Sequence, residues 1–115
     1  MTIKWIYNIA VVVSGAEKSA KWYQEKLGFE IREHEGHWIT VAPKGAVTVL
    51  HLCEVTPLEP GVTGINFIVD DLEAEYKKLK GKDVEFSAPL ERTGWGLLAI
   101  LKDPDGNEIQ LSEFK

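Results

Sequence analysis

Cysteine, positive charge and long apolar runs are all scarce in this chain, and each scarcity removes a class of protein. Of 115 residues one is cysteine, Cys53, so no internal disulfide can form and a disulfide-stapled secreted scaffold is excluded; a reducing cytoplasm fits best. Lys and Arg number 13 against 18 Asp and Glu, a formal net charge of −5. No basic cluster extends beyond Lys77-Lys78 with Lys80 and Lys82, which read as the wet face of a helix. That balance argues against nucleic acid and against anionic membrane surfaces as partners. No apolar run approaches the ~20 residues of a membrane helix, and Met1-Thr2-Ile3-Lys4 lacks a secretory core. The expectation is a cytoplasmic protein.

What is present is an ordinary globular composition, 44% hydrophobic, in a length that suits one domain or two half-size units sharing a core. The most informative stretch is Gly94-Trp95-Gly96, an apolar run from Leu97 to Leu101, then Asp103-Pro104-Asp105-Gly106-Asn107 and the alternating Glu108 to Glu113. Pro104 presets φ, Asp103 has a side chain that bonds the backbone ahead, and Gly106 accepts a positive φ, so the two strands form a hairpin.

Upstream, the elements fall into two sets of one order. Tyr7 to Val13 reads as a buried strand, and Ser14-Gly15-Ala16-Glu17 as a capping box opening a helix with Ala16, Ala20, Tyr23 and Leu27 on one face. Gly28 stops that helix. Strands Phe29 to His34, His37 to Ala42 and Val47 to Glu54 follow, with Glu35-Gly36 as a turn between the first two. The second set has a strand from Gly64 to Val69, a helix capped by Asp70-Asp71-Leu72-Glu73 and ended by Gly81, a short strand Val84 to Phe86, then Gly96 to Lys102 and Glu108 to Glu113. Ile9 matches Ile65, Val11 matches Phe67, Val13 matches Val69, and Leu50 to Glu54 matches Ile109 to Glu113. Both halves read β-α-β-β-β, an internal repeat of ~55 residues.

A duplicated β-α-β-β-β unit with Trp-Gly and Asp-Pro-Asp-Gly-Asn before the last strand resembles the vicinal oxygen chelate superfamily, which includes glyoxalases, bleomycin-resistance proteins and extradiol dioxygenases. Trp22-Tyr23, Leu27-Gly28-Phe29 and Val69-Asp70-Asp71-Leu72 carry the same resemblance, which covers essentially the whole chain. It implies an α+β fold of curled mixed sheets around a trough. The domain is then single, residues 1–115, with modules 1–54 and 63–115 and a linker at 55–62. It also implies a homodimer.

In metal-using members of that superfamily the chemistry lies on the first and last strand of each half. Carried over, those positions are Asn8, His51, Gly64 and Gln110. Strand alternation independently puts Ile9, Val11, Leu50, Leu52, Ile109 and Leu111 against the helices and Asn8, His51, Gly64, Asn66 and Gln110 on the other face. The donor set departs from the metal pattern. Gly64 has no side chain, Asn8 and Gln110 are neutral amides, and His51 is a single strong donor where zinc takes three or four and oxygen-seeking ions want carboxylates. No metal or other cofactor is therefore expected.

Cys53 shares a face with His51, but nothing in the sequence orients the imidazole or activates the thiol, so Cys53 reads as a small hydrophobe. His34 and His37 flank a turn and read as solvated. Glu108 shares the face of Gln110, but its place just after a turn suits solvent. Trp22 reads as core, whereas Trp38 and Trp95 stand where the architecture shapes the trough, and their flat faces suit a planar ligand. The candidate ligand-binding residues are Asn8, Trp38, His51, Asn66, Trp95 and Gln110, and no catalytic residue is assigned. Three functions remain open: a metal-free binder of a small apolar or aromatic molecule, a divalent-metal lyase, isomerase or dioxygenase, and an accessory module with a vestigial trough.

Overall fold

The structure, a computed structural model, describes residues 4–54, 60–94 and 96–114. The chain divides into two compact units, Met1–Glu59 and Pro60–Lys115. The first unit holds β1 (Asn8–Val12), α1 (Ala16–Leu27), β2 (Glu30–Glu35), β3 (Trp38–Ala42) and β4 (Val49–Cys53) in a sheet of order β1-β4-β3-β2. The second holds β5 (Val62–Ile68), α2 (Leu72–Gly81), β6 (Glu85–Thr93), β7 (Gly96–Lys102) and β8 (Glu108–Phe114) in order β5-β8-β7-β6. In each, the first strand pairs parallel with the last and the other pairs are antiparallel. A parallel pair needs a long connection between its members. Here that connection contains the helix and the two middle strands, so the β-α-β-β-β order and the sheet order are the same fact.

Alternation decides what packs on the helices. Val11, Val41, Leu50 and Leu52 are buried with Ala16, Ala20 and Tyr23 of α1, and Leu101, Ile109 and Leu111 with Leu72 and Leu79 of α2. Ile9 and Phe67 share those faces but are only half-buried. Trp22 is half-buried too, packed edge-on against Tyr23 at 5.1 Å between ring centroids.

Several local expectations are corrected. The N-cap of α1 is Gly15 with no side-chain cap, not Ser14; the first helical N–H, of Ala16, instead donates to the Glu54 carboxylate at 2.6 Å. The second unit repeats the device, with Leu72 N donating to Glu113 at 2.8 Å. Glu54 and Glu113 are the repeat-related residues at the ends of the last strands, so each sheet supplies an anion to its own helix N-terminus. The cap of α2 is Asp71, one residue later than the Asp70…Glu73 box, and its side chain accepts from Ala74 N at 3.2 Å. Gly28 ends α1 in the left-handed region at φ 73°, but Gly81 is the last residue of α2 and the left-handed position is Asp83, φ 64°. The short strand at Val84 to Phe86 is in fact nine residues, Glu85–Thr93. Pro89 lies on this outermost strand, where a missing N–H need not break a ladder.

The Asp103 turn is as read. Its carboxylate accepts from the backbone N–H of Asp105 and Asn107 and from the Asn107 amide, each at 2.9 Å. Buried Asn107 in turn accepts from Gly61 N at 3.1 Å, which ties the start of β5 to β8.

Candidate functional site on the open face of the first sheet

α1 packs on one face of β2, β3 and β4, and the residues that alternate with the helix-facing ones form the other face of the first sheet. Register places Ala10, His51, Thr40 and Glu33 in one line across the four strands. Glu33 reaches that line through an irregularity. Ile31 pairs with Val41, yet Glu33 pairs with Thr40, so Arg32 is an extra residue in β2. Without this bulge Glu33 would share the helix-facing side of Ile31; the bulge re-aims it to the open face.

There the Glu33 carboxylate gathers three neutral donors. Oε1 accepts from the Tyr7 hydroxyl at 2.8 Å, the Trp38 indole N–H at 3.0 Å and the Thr40 hydroxyl at 3.1 Å, and Oε2 lies 3.0 Å from the same phenol. Trp38 stacks on His51 with ring centroids 4.0 Å apart and planes 29° from parallel, and the Tyr7 ring lies 6.4 Å from Trp38. Trp38 and His51 are each half-buried and Thr40 is fully buried. The result is an aromatic wall fixed from one side by a carboxylate.

The charges follow from these contacts. The Trp38 indole N–H, then the Tyr7 hydroxyl, hold Glu33 below the usual carboxylate range; Thr40 and the nearby imidazole add to this, and partial burial opposes it. The carboxylate beside Tyr7 raises the phenol, with partial burial adding to it. Burial lowers His51, partly offset by Glu33. At neutral pH the cluster therefore carries one anion, a neutral imidazole and a neutral phenol.

Of the sequence candidates, Asn8, Trp38 and His51 fall on this face. Asn8 is in register with Val49, one pleat from His51. In the second unit Asn66 and Gln110 are in register with each other. Gln110 Nε2 donates to Ser112 Oγ at 3.1 Å, and that hydroxyl donates to Asn66 Oδ1 at 2.7 Å. Gly64, φ 75°, sits in a register irregularity between Val62 and Asn66. Trp95 lies outside the described residues. Cys53 is buried, and His34 is half-exposed, 3.7 Å from Glu17. A cavity of about 400 Å³ between the start of α1, Gly36, His37, Ile39 and Glu54 opens on the helix side of the sheet, since Ile39 alternates with Trp38 and Thr40.

Sequence reasoning missed Tyr7, Glu33 and Thr40. Tyr7 precedes the first strand, and Glu33 lies in Glu30-Ile31-Arg32-Glu33-His34-Glu35, where polar residues fill both faces and simple alternation points Glu33 the wrong way. Thr40, read only as part of a strand, is placed by the register.

The two sheets are alike in backbone and unlike in chemistry. Phe86 pairs with Leu101 and Ala88 with Ile100, so β6 carries an extra residue, Ser87, where β2 carries Arg32. By register the second-unit counterparts of Glu33, Thr40, Trp38 and His51 are Ala88, Ile100, Leu98 and Gln110. The charged aromatic cluster belongs to the first half alone.

The donor chemistry does not fit a metal centre. His51 is engaged in a ring stack, Glu33 already accepts three N–H and O–H donors, and the side chains at Asn8 and Gln110 are amides. Among the described residues no three of His, Cys, Asp and Glu gather in one place.

The comparisons agree on the family. The family model for the Glyoxalase/Bleomycin resistance protein/Dioxygenase superfamily matches residues 5–111. Uncharacterized protein YetH of Bacillus subtilis (strain 168) is 35% identical over 119 residues, covering 96% of this chain and 99% of that protein. Among solved structures, TnmS3, an antibiotic binding protein from Streptomyces sp. CB03234, superposes with a TM-score of 0.87 at 33% identity, over 100% of this chain and 99% of that one. A superfamily member from Sphaerobacter thermophilus DSM 20745 gives 0.86 at 32% identity, over 96% and 98%. With the repeat, the sheet order and the matched span in accord, this chain belongs to the glyoxalase/bleomycin resistance protein/dioxygenase superfamily.

Proposed function

We propose that the chain is a binding protein for a small planar molecule, apolar or aromatic, taken up on the open face of the first sheet without a tightly held metal. The observation that carries the reading is the Trp38–His51 stack, half-buried and pinned through the Trp38 indole N–H by Glu33. A flat, prearranged ring surface loses little freedom when a flat ligand lies on it. TnmS3, similar in fold and a third identical, is an antibiotic binding protein, which supports a binding role over a catalytic one. Asn8, on the same face by register, is read as a contact for the ligand edge. Asn66 and Gln110 form a polar counterpart on the second sheet, already joined through Ser112.

Metal analysis and ligand titration test this together. The purified protein carries far less than one equivalent of nickel, zinc, manganese or iron, and adding these ions leaves its melting temperature unchanged, since a ligand stabilises only by preferring the native state. Planar aromatic molecules quench tryptophan fluorescence, and His51→Ala or Trp38→Ala changes their affinity without unfolding the chain. Stoichiometric metal that disappears in His51→Ala overturns the reading in favour of a metal-dependent lyase, isomerase or dioxygenase.

The same proposal includes a homodimer. Trp5, Ile6 and Val47 are each about 60% exposed, and β1 and β5 are outer strands of their sheets, features that a second copy would cover.

A further inference from the structure

We infer that Glu33 makes the open face of the first sheet selective for planar aromatic molecules that carry a positive charge, an inference that rests on the small-molecule reading above and names its ligand class. Glu33 is part-buried and every partner it has is neutral: Tyr7, Trp38 and Thr40 donate hydrogen bonds but supply no countercharge. Among the described residues no lysine or arginine pairs with it. The phenol has one proton for two carboxylate oxygens, so when it donates to Oε1 the lone pairs of Oε2 remain for another donor. An ionised carboxylate with only neutral donors around it attracts a cation, and the adjoining indole and phenol faces attract the same charge through their ring quadrupoles. Both effects repel an anionic ligand.

The fold does not require this carboxylate. The second sheet has an extra residue at the same place, with Ala88 and Ile100 at the corresponding positions, so a bulge of this kind is built without an acid. What Glu33 adds is charge beneath an aromatic wall.

The test compares three tricyclic probes of similar shape at neutral pH by isothermal titration calorimetry: 9-aminoacridine as cation, 9-anthracenemethanol as neutral, and 9-anthracenecarboxylate as anion. The cation is expected to bind about ten-fold tighter than the neutral probe and the anion more weakly than both. Glu33→Gln, which keeps an acceptor for Trp38 and Thr40, brings the cation-to-neutral ratio close to one. Glu73→Gln, an exposed change on α2 with the same effect on net charge, preserves the ratio. Equal affinity of the wild-type protein for cation and neutral probe overturns the inference, a result that needs no variant to fold. So does a preference that survives Glu33→Gln or is lost equally in Glu73→Gln. Binding without charge preference leaves the small-molecule reading standing; no saturable binding of any probe overturns that reading and this inference with it.

Discussion

At the scale of single residues, the first unit's cluster links acid sensitivity to the site. His51 titrates from an ordinary value of 6.5, and burial lowers it in the fold. The unfolded chain then takes up its proton first on acidification, so the folded state loses stability as pH falls from about 6.5 toward the lowered value. Glu33 acts lower on the scale. Its contribution is complete above the ordinary 4.5 and is lost as pH falls through its depressed value. Thermal melts from pH 7 to 3 should therefore show an early acid loss that is absent in His51→Phe, which keeps a ring against Trp38 without a titrating group. A later loss should be reduced in Glu33→Gln. A wild-type curve identical to His51→Phe between pH 7 and 5 refutes the assigned direction.

At the scale of elements, the strands are fixed by which face they bury and the helices by how they end. Leu52 is fully buried on β4, and truncating it to Ala should cost ~2–5 kcal/mol in denaturant unfolding, as cavity-forming changes at buried leucines do. A cost below ~0.5 kcal/mol, typical of surface sites, is incompatible with the facing described. The two helix-end glycines give a sharper contrast. Gly28 holds φ 73°, so Gly28→Ala should destabilise by ~1 kcal/mol through left-handed strain. Gly81 is within α2 with open space around it, so Gly81→Ala should be neutral or stabilising by up to ~1 kcal/mol. Equal losses at both sites would mean that Gly81, and not Asp83, carries the left-handed turn.

At the scale of the whole molecule, duplication has kept the backbone and divided the chemistry. Both units share sheet order, an added residue in the third element, and a strand-end glutamate bonded to the helix start. One unit carries a carboxylate among aromatic rings; the other carries Ala88, Ile100 and Leu98. No helix among the described residues is long and apolar enough to cross a membrane. For the proposed homodimer, sedimentation at micromolar concentration should give twice the 12.9 kDa chain mass, and Trp5→Ser with Ile6→Ser should shift the equilibrium toward the single chain. A wild-type protein that sediments as one chain rules the homodimer out.

The amino-acid sequence by itself determined the repeat, the element order, the buried faces and the turn at Asp103, because these rest on local periodicity and on residues whose side chains bond their own backbone. It also singled out His51, which regular alternation puts opposite the buried positions, and Trp38, through the architecture that the family resemblance implies. Tertiary structure alone decided the rest. The helix start falls at Gly15, where Ala16 N donates to Glu54, 38 residues on and just past β4, and β6 outgrows its apolar core because β7 supplies hydrogen-bond partners along most of its length. Glu33 enters the site through a one-residue bulge that inverts its face. Bulges and cross-strand partners are pairwise properties of distant segments, and no period within a single segment encodes them.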